Sequence, residues 1–500
     1  MQQGPQLAAP SLKAILRHIT FYGLGSFLTQ GLTYVAFLTY AALLPVAEFG
    51  VLAVALMVSG IITTVSLLAL PAAVNVAIYQ LPEEESRRYC GTIVLSVLFW
   101  SLAVAAGTTL LGPWLTPHLF HQVTFFPSLL LAVWSGFCAT FASFPLTLMQ
   151  ARYQARTYVA FLLAQGLLQL GIIFLMLVAF NATATSYLTG LVVSQAIMAI
   201  LYLSRTLRFI RVAFSPSMLR DALKLALPLM PHQVAQRIMG LVDRMVLERF
   251  ASLADLGLYA FGARVSTLVS GFSGVFQQGM APLVYQRGME ETFRPRISRL
   301  GTYFLMGVVI AALAVALLIP DFVGLLGLKK YRGSETVILL GSLALVFHAL
   351  YLIPNAYLFI NRKSHWIPAM SGAGAGMAVL ANLLLVPRYG IEGAAVAMIA
   401  MYVTMASVGH LLMGIQVPLP FRFEPRLWRG VAVIVLVGFG VWASTLSLDS
   451  GLARLAIRAG GLSILWVGGL VAVRFFDDAE WRLVRDTARQ FLSLRRIRSK

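Results

Sequence analysis

The residues with the most chemical capacity lie where charge is most costly. Between positions 225 and 248 an otherwise apolar stretch carries His232, Gln233, Gln236, Arg237, Asp243 and Arg244. An Arg or Asp at the centre of a membrane helix costs about 2.5–3.5 kcal/mol on insertion scales. At about 100° per residue, Gln233, Gln236, Arg237, Gly240, Asp243 and Arg244 fall within an arc of about 120°. Val234, Ala235, Ile238, Leu241, Val242 and Met245 take the opposite arc. The pattern predicts one polar stripe that faces protein or water instead of lipid. The next stretch repeats it more mildly, with Arg264, Thr267, Gly271, Gly274, Gln278 and Tyr285 sharing an arc of about 80°. Three arginines against one carboxylate leave a surplus of positive charge. An anionic substrate would balance it, and guanidinium forks suit phosphate oxygens bidentately. Arg237, Arg244 and Arg264 are therefore the expected cationic wall, with Gln233, Gln236 and Gln278 beside them. Asp243 and His232 are the candidate coupling groups, His232 because an imidazole titrates near neutral pH. The competing structural reading is a buried ion-pair set in which Asp243 neutralises one arginine.

The elements that position these residues are spanning helices. Of 500 residues, 59% are hydrophobic and only 11% charged, against about 25% charged in a soluble domain. A bilayer accepts such a surface because lipid-facing side chains are apolar. Apolar runs of about 20 residues, the length needed to cross, fall at 19–43, 50–79, 90–112, 124–149, 157–180, 185–204, 225–248, 256–284, 300–319, 335–360, 367–387, 391–413, 430–447 and 453–473. The expected fold is thus all-α and polytopic, with about fourteen transmembrane helices. Pro71, Pro145, Pro228, Pro231 and Pro354 are candidate kinks. With both termini on the cytoplasmic side, 28 of the 38 Lys and Arg fall in inside segments and seven outside, Arg454 and Arg458 among the latter. That bias is the positive-inside signature.

Other classes are disfavoured. The net charge of +19 comes as short clusters between apolar runs, not as a continuous basic patch, which argues against nucleic acid. Cys90 and Cys138 have no metal-ligand spacing, and neither metal nor cofactor is expected. Gly372, Gly374 and Gly376 mimic a phosphate loop but lie inside an apolar span, where close helix packing is the expected use. Asn181-Ala182-Thr183 is a formal glycosylation sequon in a short loop. Only Asp243 reads as an intramembrane carboxylate, so paired general acid and base are missing and an enzyme, such as a glycan polymerase or ligase, is not expected.

The chain also repeats itself. Ala47-Glu48-Phe49-Gly50-Val51-Leu52-Ala53 lines up with Ala254-Asp255-Leu256-Gly257-Leu258-Tyr259-Ala260. Each piece sits between the first and second span of its half, and internal duplication in helical membrane proteins points to a transporter. The expected organisation is a six-helix lobe over 1–215, a second over 216–415, an extra helix pair over 416–475 and a basic amphipathic cytoplasmic tail over 476–500. In that tail Trp481, Val484, Ala488, Phe491 and Leu492 share one face, a pattern suited to an anionic membrane surface.

The segment 225–265 resembles the start of the second half in bacterial polysaccharide repeat-unit flippases. Leu227-Pro228-Leu229-Met230-Pro231-His232, Asp243-Arg244 and Leu256-Gly257-Leu258-Tyr259 carry the resemblance, with Glu48-Phe49-Gly50 and Pro387-Arg388-Tyr389-Gly390-Ile391-Glu392-Gly393-Ala394-Ala395 in support. The family belongs to the multidrug/oligosaccharidyl-lipid/polysaccharide exporter superfamily. The resemblance implies two six-helix lobes and alternating access. It also implies a lipid-linked glycan of the undecaprenyl-pyrophosphate type as substrate, with polysaccharide assembly proteins as further partners. The expected location is the bacterial cytoplasmic (inner) membrane. Relatives often end the second span with basic residues; here Asn75 and Gln80 stand there. A peptidoglycan-precursor flippase and a cation-coupled drug exporter of the same superfamily are the alternatives, the latter disfavoured because the first six spans hold no internal Asp or Glu.

Overall fold

In the computed structural model, residues 12–152, 154–274, 294–417, 421–446, 448, 451–472 and 475 are described. Gln278, Tyr285 and the amphipathic tail lie outside them. Among the described residues there is no strand, and helix covers the described part of each of the fourteen expected spans. Ten of these helices are long and apolar enough to cross a membrane, the longest being a continuous stretch that covers both the eleventh and twelfth spans. The protein is an all-α, multi-pass membrane protein.

Several spans are broken, and the breaks have local causes. The first span forms α1 (Leu12–Leu43), and the second divides into α2 (Val46–Leu67) and α3 (Leu70–Gln80). Pro71 removes the N–H that would reach the carbonyl of Leu67, and its ring crowds that turn. Leu68 and Ala69 take left-handed backbone conformations at the break, with φ of 47° and 57°. Such a conformation costs a non-glycine residue about 1–2 kcal/mol. Pro145 lies in the first turn of the helix Ser143–Ala151, which follows a second break. Pro228 sits in a 3-10 turn, Pro231 begins a helix, and Pro354 is carried inside Glu335–Ile360. The helix Ile367–Gln416 turns sharply at Gly390, whose φ of 54° favours glycine. Gly372 and Gly376 lie within that helix, where an added Cβ would meet nothing within 4 Å.

The chain forms two compact units, 1–261 with 367–404, and 262–366 with 405–500. In the first unit the duplicated pieces meet each other. We label the relevant helices α4 (Glu83–Leu119), α5 (Leu130–Thr140), α6 (Ser143–Ala151), α7 (Ala155–Ala179), α8 (Ala184–Leu207), α9 (Pro216–Ala226), α10 (Met230–Met239), α11 (Val242–Phe250) and α12 (Leu253–Ser266). A Cβ on Gly50 would stand 2.0 Å from the carbonyl oxygen of Leu253, and a Cβ on Gly257 would stand 2.0 Å from that of Val46. Gly50 corresponds to Gly257 in the repeat, and Val46 to Leu253. The contact is reciprocal, as a pseudo-two-fold pairing of the two copies requires. Phe37 packs on Phe261 at 5.2 Å and on Phe49 at 5.9 Å beside it.

The first acidic residue of each copy anchors a helix start. Glu48 Oε2 accepts from the Ala184 amide at 2.7 Å, at the N-terminus of α8. Asp255 instead forms a capping box with Ser252: the Asp255 amide donates to Ser252 Oγ at 3.0 Å, and the Ser252 amide donates back at 3.3 Å. Thr183 of the formal sequon is likewise a helix cap, accepting from the Ser186 amide at 3.3 Å.

In the second unit, α13 (Arg294–Leu325) packs against α14 (Glu335–Ile360) and against the C-terminal pair α16 (Arg426–Ser444) and α17 (Gly451–Ala472), with α15 being Ile367–Gln416. Arg454 and Arg458 lie in the first turns of α17, not in an outside loop. Arg458 is buried and donates to Asp321 Oδ2 at 2.8 Å, to Thr445 Oγ1 at 2.8 Å and to the Leu317 carbonyl at 3.1 Å. Arg454 pairs with Asp321 Oδ1 at 3.5 Å.

Candidate functional site

The seventh span is not one straight helix. α10 ends at Met239, and the amides of Gly240 and Leu241 turn back to Arg237 and Ile238 at 3.1 Å each. α11 then restarts at Val242. Glycine tolerates such a tightened turn at little cost within a helix end. The break interrupts the helix along which the stripe was counted: Gln233, Gln236 and Arg237 belong to α10, while Asp243 and Arg244 open α11.

Gln236 and Arg237 are exposed, and His232 and Gln233 are half-buried. Arg237 reaches α2, where Nη1 would stand 3.4 Å from a Cβ on Gly60. The absence of a side chain at Gly60 leaves the guanidinium its place. His232 Nδ1 lies 3.0 Å from Ser371 Oγ on α15. Ser371 also sits within 3.2 Å of the Ile367 and Pro368 carbonyls, so the imidazole is tied into a local network.

Asp243 does not neutralise an arginine of its own span. Its Oδ2 accepts from the Tyr259 hydroxyl at 2.5 Å, and its Oδ1 accepts from the Arg244 amide at 2.8 Å. Among the described residues, no ion pair joins it to Arg237 or Arg244. The Arg244 guanidinium donates from Nη1 to the Gly240 carbonyl at 2.8 Å. Its Nε is buried and meets no acceptor among the described residues. A buried donor left without a partner is costly, about 1–3 kcal/mol, and is worth retaining where an anion completes it.

Arg264 lies in the second unit, exposed on α12. Gln278 lies outside the described residues.

Two functional neighbours escaped the sequence reading. Tyr259 looked like a motif residue without a role; it is the donor that engages Asp243. Glu248 sits at the expected end of the span, yet its side chain is fully buried. Its Oε1 accepts from the amides of His121, Gln122 and Val123 at 2.8, 2.6 and 3.2 Å. Gln122 Nε2 returns a bond to the Ala251 carbonyl at 2.7 Å. The carboxylate thus fastens α11 to the connection between α4 and α5. Its only sequence signal was an acidic residue five positions beyond Asp243.

Broken helices that carry guanidinium groups in an apolar frame make this a multi-pass membrane protein with charge inside its spans. The fold is similar to that of a solved structure titled Lipid II flippase MurJ, inward closed conformation, with a TM-score of 0.74 and 13% identity over 91% of this chain and 98% of that one. It is also similar to an inward-facing multidrug resistance MATE family transporter of the MOP superfamily, with a TM-score of 0.58 and 14% identity over 75% and 93%. A structure of the MATE multidrug transporter DinF-BH gives 0.56 and 15% over 83% and 98%. No curated protein sequence matches the chain. A family profile described as polysaccharide biosynthesis protein matches residues 15–286. The chain belongs to this polysaccharide biosynthesis protein family, and its fold is similar to those of the membrane transporters just named.

Proposed function

We propose that the protein carries an anionic lipid-linked oligosaccharide, a polysaccharide repeat unit on an undecaprenyl-pyrophosphate-type lipid, across the bacterial cytoplasmic membrane. Transport runs from the cytoplasmic to the outer leaflet by alternating access of two six-helix lobes, 1–215 and 216–415. Both termini are cytoplasmic in this reading. Arg237 and Arg244 hold the pyrophosphate, with Gln233 and Gln236 beside them; Arg264 and Gln278 take the same role from their place on the eighth span. Asp243 or His232 couples movement to a cation gradient.

The observation that carries this reading is Arg244. Its buried Nε has no acceptor among the described residues, and the carboxylate beside it is already engaged by Tyr259. A phosphate oxygen is the acceptor that suits such a group. The family description favours a polysaccharide precursor over the peptidoglycan precursor, which the similar fold titled as a lipid II flippase brings forward as the second reading.

Purified protein in proteoliposomes tests the choice. A fluorescent repeat-unit lipid and lipid II are supplied in parallel, and exposure on the far leaflet is measured. The proposal expects faster transfer of the repeat-unit lipid. Transfer of lipid II alone selects the second reading, and glycan bond formation without transfer selects an enzyme. Transport unaffected by ionophores removes the coupling role of Asp243 and His232.

A further inference from the structure

A cationic hollow lies apart from Arg237 and Arg244, with neither in its lining. It forms in the first unit where the start of α4, the end of α6, the start of α7 and the end of α8 converge, on the face where the basic loops gather. Its volume is about 220 Å³, and its lining includes Glu83, Arg87, Arg152, Arg205, Arg208 and Phe209. Four guanidinium groups meet one carboxylate.

The ring of Phe209 organises two of them. The Arg152 guanidinium carbon lies 3.8 Å from the ring centroid and that of Arg87 lies 5.9 Å from it. Arg87 is fixed by its Nε, which donates to the Phe209 carbonyl at 2.7 Å. Arg152 Nη2 donates to Glu83 at 3.3 Å, and Glu83 is itself 73% exposed. Arg205 and Arg208 are exposed at the end of α8. The negative end of that helix accounts for cations at those two positions. It does not account for two guanidinium groups gathered on one aromatic ring. Like charges brought this close repel unless an anion stands between them, and a single exposed carboxylate offsets one of four.

We propose that this hollow is a phosphate-binding site, distinct from the translocation residues, that takes a phosphate-bearing headgroup or a soluble phosphate compound. Arg205 and Arg208 supply the free forks, while Phe209 holds Arg152 and Arg87 in place for the remaining oxygens. The site is independent of which glycan lipid is carried.

The test uses the full-length protein in nanodiscs of mixed phosphatidylethanolamine and phosphatidylglycerol, with bound lipid read by native mass spectrometry. A parallel titration with inorganic pyrophosphate is read by calorimetry in detergent. The double variant Arg205→Gln/Arg208→Gln is compared with Arg88→Gln, an exposed arginine on α4 outside the hollow. The double variant is expected to lower binding roughly tenfold, and Arg88→Gln to leave it unchanged. Loss of phosphatidylglycerol retention identifies a lipid headgroup as the source, and loss of pyrophosphate binding alone identifies a soluble one. The proposal is overturned if neither probe binds less well to the double variant, or if Arg88→Gln lowers binding equally.

Discussion

Asp321 and Asp243 are carboxylates placed beside arginines in helices of the two units, and their surroundings differ in one respect. Around Asp321 the charges close on each other. Arg458 is buried at 8% side-chain exposure against an equally buried Asp321, and Arg454 completes the set. Around Asp243 they stay open. Tyr259 and a backbone amide occupy the carboxylate, and the buried Nε of Arg244 has no acceptor among the described residues. A closed cluster fastens helices; here it ties α17 to α13. An open one is where the proposed anion would bind. The presence of intramembrane charge therefore does not mark a functional site by itself. What distinguishes the two regions is whether the arginines pair with the carboxylate: Asp321 holds ion pairs with Arg454 and Arg458, whereas Asp243 holds none among the described residues.

The comparison can be broken or sharpened by stability measurements, taken here from the largest expected loss to the smallest. Asp321→Ala strands the buried Arg458 and is expected to cost about 3–5 kcal/mol, read as a lower denaturant midpoint in detergent. The double variant Asp321→Leu/Arg458→Met is expected to recover most of that loss, because an apolar pair carries no desolvation penalty. Glu248→Gln removes the charge that three backbone amides address, at a cost of about 1.5–3 kcal/mol, and protease sensitivity of the 120–124 connection should rise. Gly50→Ala forces a Cβ against the Leu253 carbonyl and is expected to cost about 1–3 kcal/mol by overpacking. Gly257→Ala should match it, since the contact is reciprocal; a neutral Gly257→Ala would show that the two copies are not equivalent. Arg237→Ala and Arg244→Ala stand at the other end. Arg237→Ala is expected to change stability by no more than about 0.5 kcal/mol, and Arg244→Ala, which removes the unpartnered donor, to leave the protein no less stable, yet each is expected to abolish export with membrane insertion intact. Wild-type export by both would remove the cationic-site assignment.

Much of this was legible in the chain. Spans announce themselves because a bilayer demands about 20 apolar residues in a row, and helix covers the described part of every such run. The repeat around Gly50 and Gly257 was visible as aligned residues, although their mutual contact was not, since spacing along the chain does not reveal which backbone approaches which. The breaks were harder. Leu67-Leu68-Ala69-Leu70 is apolar without interruption, and only Pro71 hinted that it could not continue as one helix. Gly240 gave a weaker hint, and regular 100° steps were counted across a helix that breaks there. The acidic residues show the same limit. Asp243 was found because it lies mid-span. Glu248 and Asp321 were missed because they stand at the ends of apolar runs, where hydropathy reads them as loop. Burial there is decided by amides and arginines contributed from other helices, Glu248 by residues 121–123 and Asp321 by Arg454 and Arg458.

The central claim is that Arg244 awaits a phosphate oxygen, and direct binding tests it most closely. Undecaprenyl pyrophosphate is titrated into the protein in nanodiscs of neutral lipid, for the wild type and for Arg244→Gln, with helical content followed in the same samples. The account predicts roughly tenfold weaker binding by the variant with helical content unchanged. Equal affinity of the two proteins would contradict it.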